Sequence, residues 1–246
     1  MKFAILAAGE GSRLAQEGIE MPKPLVRING EAMIDRLIRI FMENGAEEIF
    51  VITNNLTTLV QEHLSVMVRN GIPLRLVVKT TPSSMHSFYE LKNHIGEGKF
   101  CLTTVDTIFD EREFSSYISE FRASACDGMM AVTDYIDDEK PLYISTDSHD
   151  MITGFHDSLE LYGQSEAGKS GLSVCKYISG GIYCLDSKAF VTLDKCIDEG
   201  MSRMRNFQRQ LVFDGLCLKA CRFSKILDVD HAGDIRKAEE FLNAGR

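Results

Sequence analysis

An α/β domain with a mixed, mostly parallel sheet flanked by helices is the fold predicted by the 246-residue sequence. Three observations carry the prediction. Short, continuous apolar runs alternate with segments of helical period through the first half. Asn-Gly pairs (Asn44-Gly45, Asn70-Gly71) stand where the helical period stops. No repeat, low-complexity tract or long linker divides the chain, and its length lies near the upper limit for one core. The reading is one domain over 1–246, with 1–110 and 111–246 as its two halves.

Phe3–Ala7 is a five-residue apolar run, the pattern of a strand buried on both faces. Met33, Ile34, Leu37, Ile38, Phe41 and Met42 then recur at helical spacing. Glu48–Thr53 predicts a second strand, and Leu56, Leu59, Val60, Leu64 and Met67 a second helix. Leu74–Val78 is a third strand, Ser87–Ile95 a helix, and Phe100–Val105 a fourth strand that runs into Asp106. Strands alternating with helices imply parallel units with right-handed crossovers. The second half is less regular. Gly128–Val132 reads as a strand, and Leu142–Ser145 with Met151–Phe155 as a hairpin around Asp147–Asp150. Ser158–Ser173 is rich in Gly, Ser and Glu and reads as a mobile loop. Ile178–Leu185 is a strand that contains Gly180-Gly181. Helices follow around Lys188–Glu199 and Arg203–Phe213, then a strand at Leu216–Phe223. A turn then leads into a final helix with Ile235, Ala238, Phe241 and Leu242 on one face.

Charge narrows the function. A formal net charge of −9 repels nucleic acid and anionic membranes, so neither is an expected partner. An anionic ligand must then be held by a few local cations, backbone N–H groups or a metal ion. Cys101, Cys126, Cys175, Cys184, Cys196, Cys217 and Cys221 are scattered, with no CxxC pair, which argues against a disulfide framework and against zinc. The opening apolar run is too short for a signal peptide and is interrupted by Glu10 and Arg13. No stretch reaches the ~18 apolar residues of a membrane span. The expectation is a reduced, cytoplasmic protein.

Four stretches carry chemistry. In LAAGEGSRL, a strand ends in small residues and passes into a glycine loop. Leucine occupies the third glycine position of a dinucleotide fingerprint, and a Walker A lysine is absent. Leu6, Ala7, Ala8 and Gly9 would let a flat base approach the backbone. Gly11 and Ser12 can turn N–H groups toward phosphate oxygens, and Arg13 can clamp those oxygens through two donors. A plain glycine turn with a solvated arginine is the alternative. In Met21-Pro-Lys-Pro-Leu25, prolines on both sides predict that Lys23 is held on a stiff, extended backbone. A PKP tripeptide alone is an ordinary surface turn; ten residues after Arg13 it suits a charge that meets a phosphate. Asp106 ends a predicted central strand, where open α/β sheets bind ligands and where a hard carboxylate suits Mg²⁺; it equally reads as a turn cap. Asp228-Val-Asp230 precedes the last helix, as a metal motif or as simple N-capping.

Together these stretches resemble the nucleotidyltransferases that join a nucleoside triphosphate to a sugar-1-phosphate or similar phosphorylated alcohol. The family signature LAAGxGxRL followed by PKPL is present as LAAGEGSRL and PKPL, and the likeness continues through INGEAMIDRLI and DVDHAGDIRKAEEFL. The resemblance implies a Rossmann-like (GT-A-like) sheet, a nucleoside triphosphate and a phosphorylated sugar or alcohol as partners, Mg²⁺ as cofactor, and pyrophosphate release. It implies that Gly9, Gly11 and Arg13 hold the triphosphate, with Lys23 at the α-phosphate and Arg13 on the departing pyrophosphate. Asp106 and Asp230 would hold Mg²⁺, the Ser83–Ser87 loop with Ser83 and Ser84 would read the base, and Gly180 and Gly181 would face the sugar. Three departures stand out. Val105 replaces a common glycine, His231-Ala-Gly-Asp234 replaces Thr-Pro-Glu-Asp, and SMHSFYEL looks more like members acting on phosphocholine or modified sugars. Two rivals stay open: a glycosyltransferase of the same broad fold that uses the DVD motif, and a nucleotide sensor without turnover. The base, the acceptor and the oligomeric state are not fixed by the sequence.

Overall fold

The computed structural model describes residues 1–137, 140–159 and 174–245. The hub of the sheet is β1 (Lys2–Ala7). It pairs in parallel with β4 (Ile49–Thr53) on one side and β6 (Lys99–Thr104) on the other, and β5 (Leu74–Val78) extends the β4 side. The chain therefore builds outward from β1 in one direction and then crosses to its other side. That is a topological switch point, at which a crevice opens beyond the carboxyl ends of the strands.

The second half continues the same sheet. The long β11 (Val174–Asp186) lies antiparallel to β6, β8 (Gly128–Thr133) and β9 (Tyr143–Thr146). Further out, β10 (Ile152–His156) pairs antiparallel with β9, and β12 (Leu218–Arg222) parallel with β8. Of the nine strands in this sheet, β10 and β11 alone run against the rest, so the predicted mixed, mostly parallel sheet is observed. The turn between β9 and β10 is fixed by Asp147, whose Oδ1 accepts from the N–H groups of His149 and Met151 at 2.8 and 2.9 Å.

Alternation along β1 feeds two cores. Phe3, Ile5 and Ala7 pack with α2 (Met33–Glu43) and α5 (Glu111–Ala123), where Phe3 stacks on Phe41 at 4.5 Å. Ala4 and Leu6 face the opposite layer, α4 (Ser84–Ile95), α6 (Ala189–Asp198) and α7 (Met204–Phe213). The remaining helices are α1 (Ser12–Gln16), α3 (Thr58–Arg69) and α8 (Ala232–Ala244). Among the described residues, no helix is long and apolar enough to cross a membrane.

Several expectations are corrected. α5 has no counterpart in the sequence reading, because charged and serine residues dilute its apolar stripe of Phe114, Tyr117, Ile118 and Phe121. Its start is marked by Asp110, whose Oδ1 accepts from Arg112 N–H at 2.8 Å. Two small ladders also went unpredicted: β2 (Arg27–Ile28) with β3 (Glu31–Ala32), and β7 (Thr107–Phe109) with β13 (Ile226–Asp228). Strands of two or three residues leave too short a pattern to read. The Ser83–Ser87 loop is instead the start of α4: Ser83 is its N-cap, and Ser84 its first residue. The expected final strand shrinks to β12. Residues 160–173 of the predicted mobile loop lie outside the described residues.

Candidate active site

A cavity of about 530 Å³ lies at the switch point. Its floor is the end of β1: Leu6 and Ala8 line it, whereas Ala7, expected among the binding residues, points to the other face of the sheet and is 1 % exposed. Gly9, Gly11, Ser12 and Arg13 also line the cavity, as do Ser83 and Ser84.

The loop is shorter than its glycines suggest, since α1 starts at Ser12. Gly11 is its N-cap, in the left-handed region at φ 64°, with no side chain capping the turn. A Cβ on Gly11 would stand 2.9 Å from the Cβ of Lys23. Gly11 is thus required twice, by its backbone angle and by the close passage of the second motif. Gly11→Ala is expected to lose about 1–2 kcal/mol of stability from the left-handed strain. It should also lose activity by pushing Lys23 aside; a thermal melt and a turnover assay measure the two effects separately.

Lys23 departs from the extended backbone expected of it. Pro22 is extended (ψ 136°), but Lys23–Leu25 is a single 3₁₀ turn, closed by Leu25 N–H on Pro22 O at 2.8 Å. Burial of Pro24 and this hydrogen bond override the usual preference of a residue before proline. The turn aims the ammonium inward, where it is 10 % exposed and bridges two carboxylates. Nζ donates to Asp106 Oδ2, and to Asp230 Oδ1 at 2.7 Å. Burial works against the Lys23 charge, yet Asp106 and then Asp230 outweigh it and hold its pKa above the ordinary value. Arg13 Nη1 donates to the other oxygen of Asp230 at 2.9 Å. Burial likewise opposes the Asp230 charge, but Lys23 and Arg13 keep its carboxyl below the usual range.

The unpredicted β7–β13 ladder brings the two aspartates together. Thr107 pairs with Asp228, and Val229 N–H donates to Asp106 O at 3.1 Å, so Asp230 emerges beside Asp106 from the far end of the sequence. The altered HAGD turn is well formed. Asp234 Oδ2 accepts from the N–H groups of Asp230 and His231 at 3.2 and 2.8 Å. Val105, in place of the family's glycine, is buried.

Could this pair of carboxylates hold a divalent cation? Asp106 Oδ1 is buried and has no hydrogen-bond partner. A hard, unsatisfied oxygen on a carboxylate that shares Lys23 with a second one fits an ion such as Mg²⁺, which takes one or two carboxylates and completes its shell with water and phosphate.

Two residues at this site escaped the sequence reading. Asn54 is 2 % exposed at the end of β4; its Nδ2 donates to Ala8 O at 3.0 Å, and its Oδ1 accepts from Leu56 and Thr57 N–H. It thereby ties the glycine loop to the neighbouring strand. The signal for it was a strand-end asparagine in VITNN. Glu17, at the C-terminal end of α1, reaches the start of α8: Oε1 meets His231 Nδ1 and Oε2 accepts from Ala232 N–H, both at 2.6 Å. The helix that begins with Ser12-Arg13 is therefore fastened to the turn that presents Asp230. The His231 side chain, through its hydrogen bond, holds Glu17 below the usual carboxylate range. Glu17→Ala is expected to lower activity roughly 10–100-fold, as for loss of a group that orients a ligand. Its circular-dichroism melt should change little, because both partners are exposed.

A second cavity, of about 450 Å³, shares Arg13 and Asp230 with the first and is lined further by Tyr135, Ser179, Arg205 and Lys237. Gly180 lines it, but Gly181 does not. Gly180 has a packing reason as well, since a Cβ there would stand 2.2 Å from Ile226 Cδ1. Gly181, at φ 73°, lies where the pairing of β11 with β8 shifts register.

With this geometry in view, comparison with known proteins is decisive. A profile of the nucleotidyl transferase family matches residues 2–243. The chain belongs to that family. It is 34 % identical over 116 residues to a bifunctional IPC transferase and DIPP synthase of Thermococcus kodakarensis, a match covering 46 % of this chain and 25 % of that protein. It is 24 % identical over 162 residues to an N-acetylmuramate alpha-1-phosphate uridylyltransferase of Caulobacter vibrioides, covering 64 % of this chain and 62 % of that one. The chain thus spans only part of the length of these curated relatives. The inositol-1-phosphate CTP transferase of T. maritima shares the fold with a TM-score of 0.76 at 17 % identity, over 99 % of this chain and 96 % of that one. A putative glucose-1-phosphate thymidylyltransferase of Bacillus anthracis gives 0.78 at 19 % identity, over 98 % and 94 %.

Proposed function

We propose that this member of the nucleotidyl transferase family moves a nucleoside monophosphate from a pyrimidine nucleoside triphosphate to the phosphate of a sugar or polyol, releasing pyrophosphate. The observation that carries the reading is the meeting of Arg13, Lys23, Asp106 and Asp230 in the lining of the cavity at the end of the glycine-loop strand. The pyrimidine and the sugar or polyol phosphate are supported by relatives whose names specify uridylyl, cytidylyl or thymidylyl transfer, or a glucose, inositol or N-acetylmuramate phosphate acceptor.

The chemistry asks little of a general base. A phosphate monoester has a second pKa near ~6 and is already an anion at neutral pH. The difficulty is to bring two anions together and to stabilise the charge that leaves with pyrophosphate, so positioning and cations carry the reaction. Lys23, fixed by its 3₁₀ turn, offers its ammonium to the α-phosphate. Arg13 lies at the edge shared by both cavities, where it can hold the departing pyrophosphate. Asp106 and Asp230 would hold Mg²⁺, which supplies charge neutralisation to the phosphate oxygens. Lys23 would exchange carboxylate oxygens for phosphate oxygens on triphosphate binding, leaving both aspartates to hold the ion. The second cavity, with Arg205, Tyr135 and Ser179, receives the acceptor.

The test is pyrophosphate release with Mg²⁺ across the nucleoside triphosphates, each paired with glucose-1-phosphate, inositol-1-phosphate and phosphocholine. Release is expected with a pyrimidine triphosphate and a sugar or polyol phosphate. Binding of triphosphate without release from any pair would mean a sensor. Liberation of nucleoside diphosphate from a nucleotide-sugar would mean a glycosyltransferase.

A further inference from the structure

On the opposite edge of the sheet from the active site, β8 and β12 begin side by side, with Gly128 paired to Leu218. The residues just before them are locked together. Gly128 N–H donates to Cys217 O at 3.1 Å, and Cys217 N–H donates to Asp127 Oδ2 at 3.0 Å. This holds the entry to β12 against the entry to β8 and leaves the Cys126 thiol beside that of Cys217. Cys217 is exposed and Cys126 half-buried. A second thiol pair, Cys101 and Cys184, lies directly opposite across β6 and β11, but both residues are fully buried. One pair can therefore meet a dissolved oxidant and the other cannot.

We propose that Cys126 and Cys217 form an oxidisable dithiol, closed to a disulfide by hydrogen peroxide, which staples β8 to β12. The Cys217 thiolate attacks one oxygen of the peroxide, the O–O bond breaks, and a sulfenic acid and one water result. The Cys126 thiolate then attacks that sulfur, forming the S–S bond and releasing the sulfenic oxygen as a second water. The two thiols lose two electrons and two protons, and the peroxide gains them. Burial, and then the neighbouring Cys217, push the Cys126 thiol up, with Lys219 opposing, so exposed Cys217 is placed to react first.

The staple joins the N-terminal ends of two strands whose direction is that of β1 and β6. The catalytic cluster lies at the C-terminal ends. Oxidation is thus expected to stabilise the fold while leaving nucleotide binding unchanged. Closing a loop of about 90 residues should raise the thermal midpoint by roughly 5–15 °C. The experiment treats the full reduced chain with a small excess of hydrogen peroxide, then maps tryptic peptides without reduction. The expected product is one intramolecular peptide pair, lighter by two hydrogens and containing Cys126 and Cys217, together with the raised midpoint. Both features should vanish in Cys126→Ser and in Cys217→Ser, while Cys101 and Cys184 remain free thiols. Recovery of Cys126 and Cys217 as separate thiols, or as separate sulfinic acids, overturns the proposal. So does a linkage found only in covalent dimers on a non-reducing gel, or a linked monomer whose midpoint does not rise.

Discussion

Lys23→Ala is expected to lower turnover by roughly 10²–10³, the loss seen when one electrostatic donor to a transition state is removed. The ammonium is buried to 10 % exposure and touches both carboxylates that line the first cavity. A surface lysine could be lost at little cost; this one neutralises two charges that otherwise repel. A second consequence separates the site role from a structural one. Without Lys23, Asp106 loses its cation and Asp230 keeps only Arg13, so the nucleotide-free variant should bind Mn²⁺ more tightly than the native chain. Pyrophosphate release and Mn²⁺ paramagnetic resonance measure the two effects. Near-native turnover would remove Lys23 from the mechanism, and unchanged Mn²⁺ affinity would show that the lysine does not compete with the ion.

Asp106→Asn should cost more, at least about 10³-fold in turnover. Lewis-acid and charge stabilisation by a bound ion is worth several kcal/mol, and 1.36 kcal/mol is tenfold in rate. The substitution keeps the shape of the side chain and the backbone bond from Val229, so the β7–β13 ladder and the thermal midpoint should be preserved. Lys23 retains Asp230 as its partner. Activity within tenfold of native would mean that Asp106 caps a turn and does nothing more, the reading that the sequence alone left open. Loss of activity with normal folding and weakened Mn²⁺ binding is the outcome that supports its role as a ligand.

How much of this was legible beforehand? The glycine loop, Lys23, Asp106 and Asp230 were identified because each has a local signature: a strand end, a proline pair, a position before a helix. Glu17 could not be found that way, since it acts on a side chain and a backbone group remote in sequence, and Asn54 left only a strand-end asparagine as its mark. Ala7 illustrates the converse. It lies inside the motif, but the two-residue period of a strand turns it into the core, away from the cavity. The helix α5 was hidden by its polar composition, and β7 and β13 by their length.

By itself, the sequence determined the alternation of strands and helices, the family and the four short stretches that carry charge to the site. Those are properties of neighbouring residues, governed by periodicity, by backbone restrictions at Gly and Pro, and by motif spacing. The tertiary structure alone decided that Asp106 and Asp230 share one lysine across 124 positions of chain. It also decided that a glycine in the first motif makes room for the lysine of the second. Such meetings depend on the three-residue pairing of β7 with β13 and on the packing of α1 against α8. Contacts between remote segments follow from how the whole core closes, and no local pattern records them.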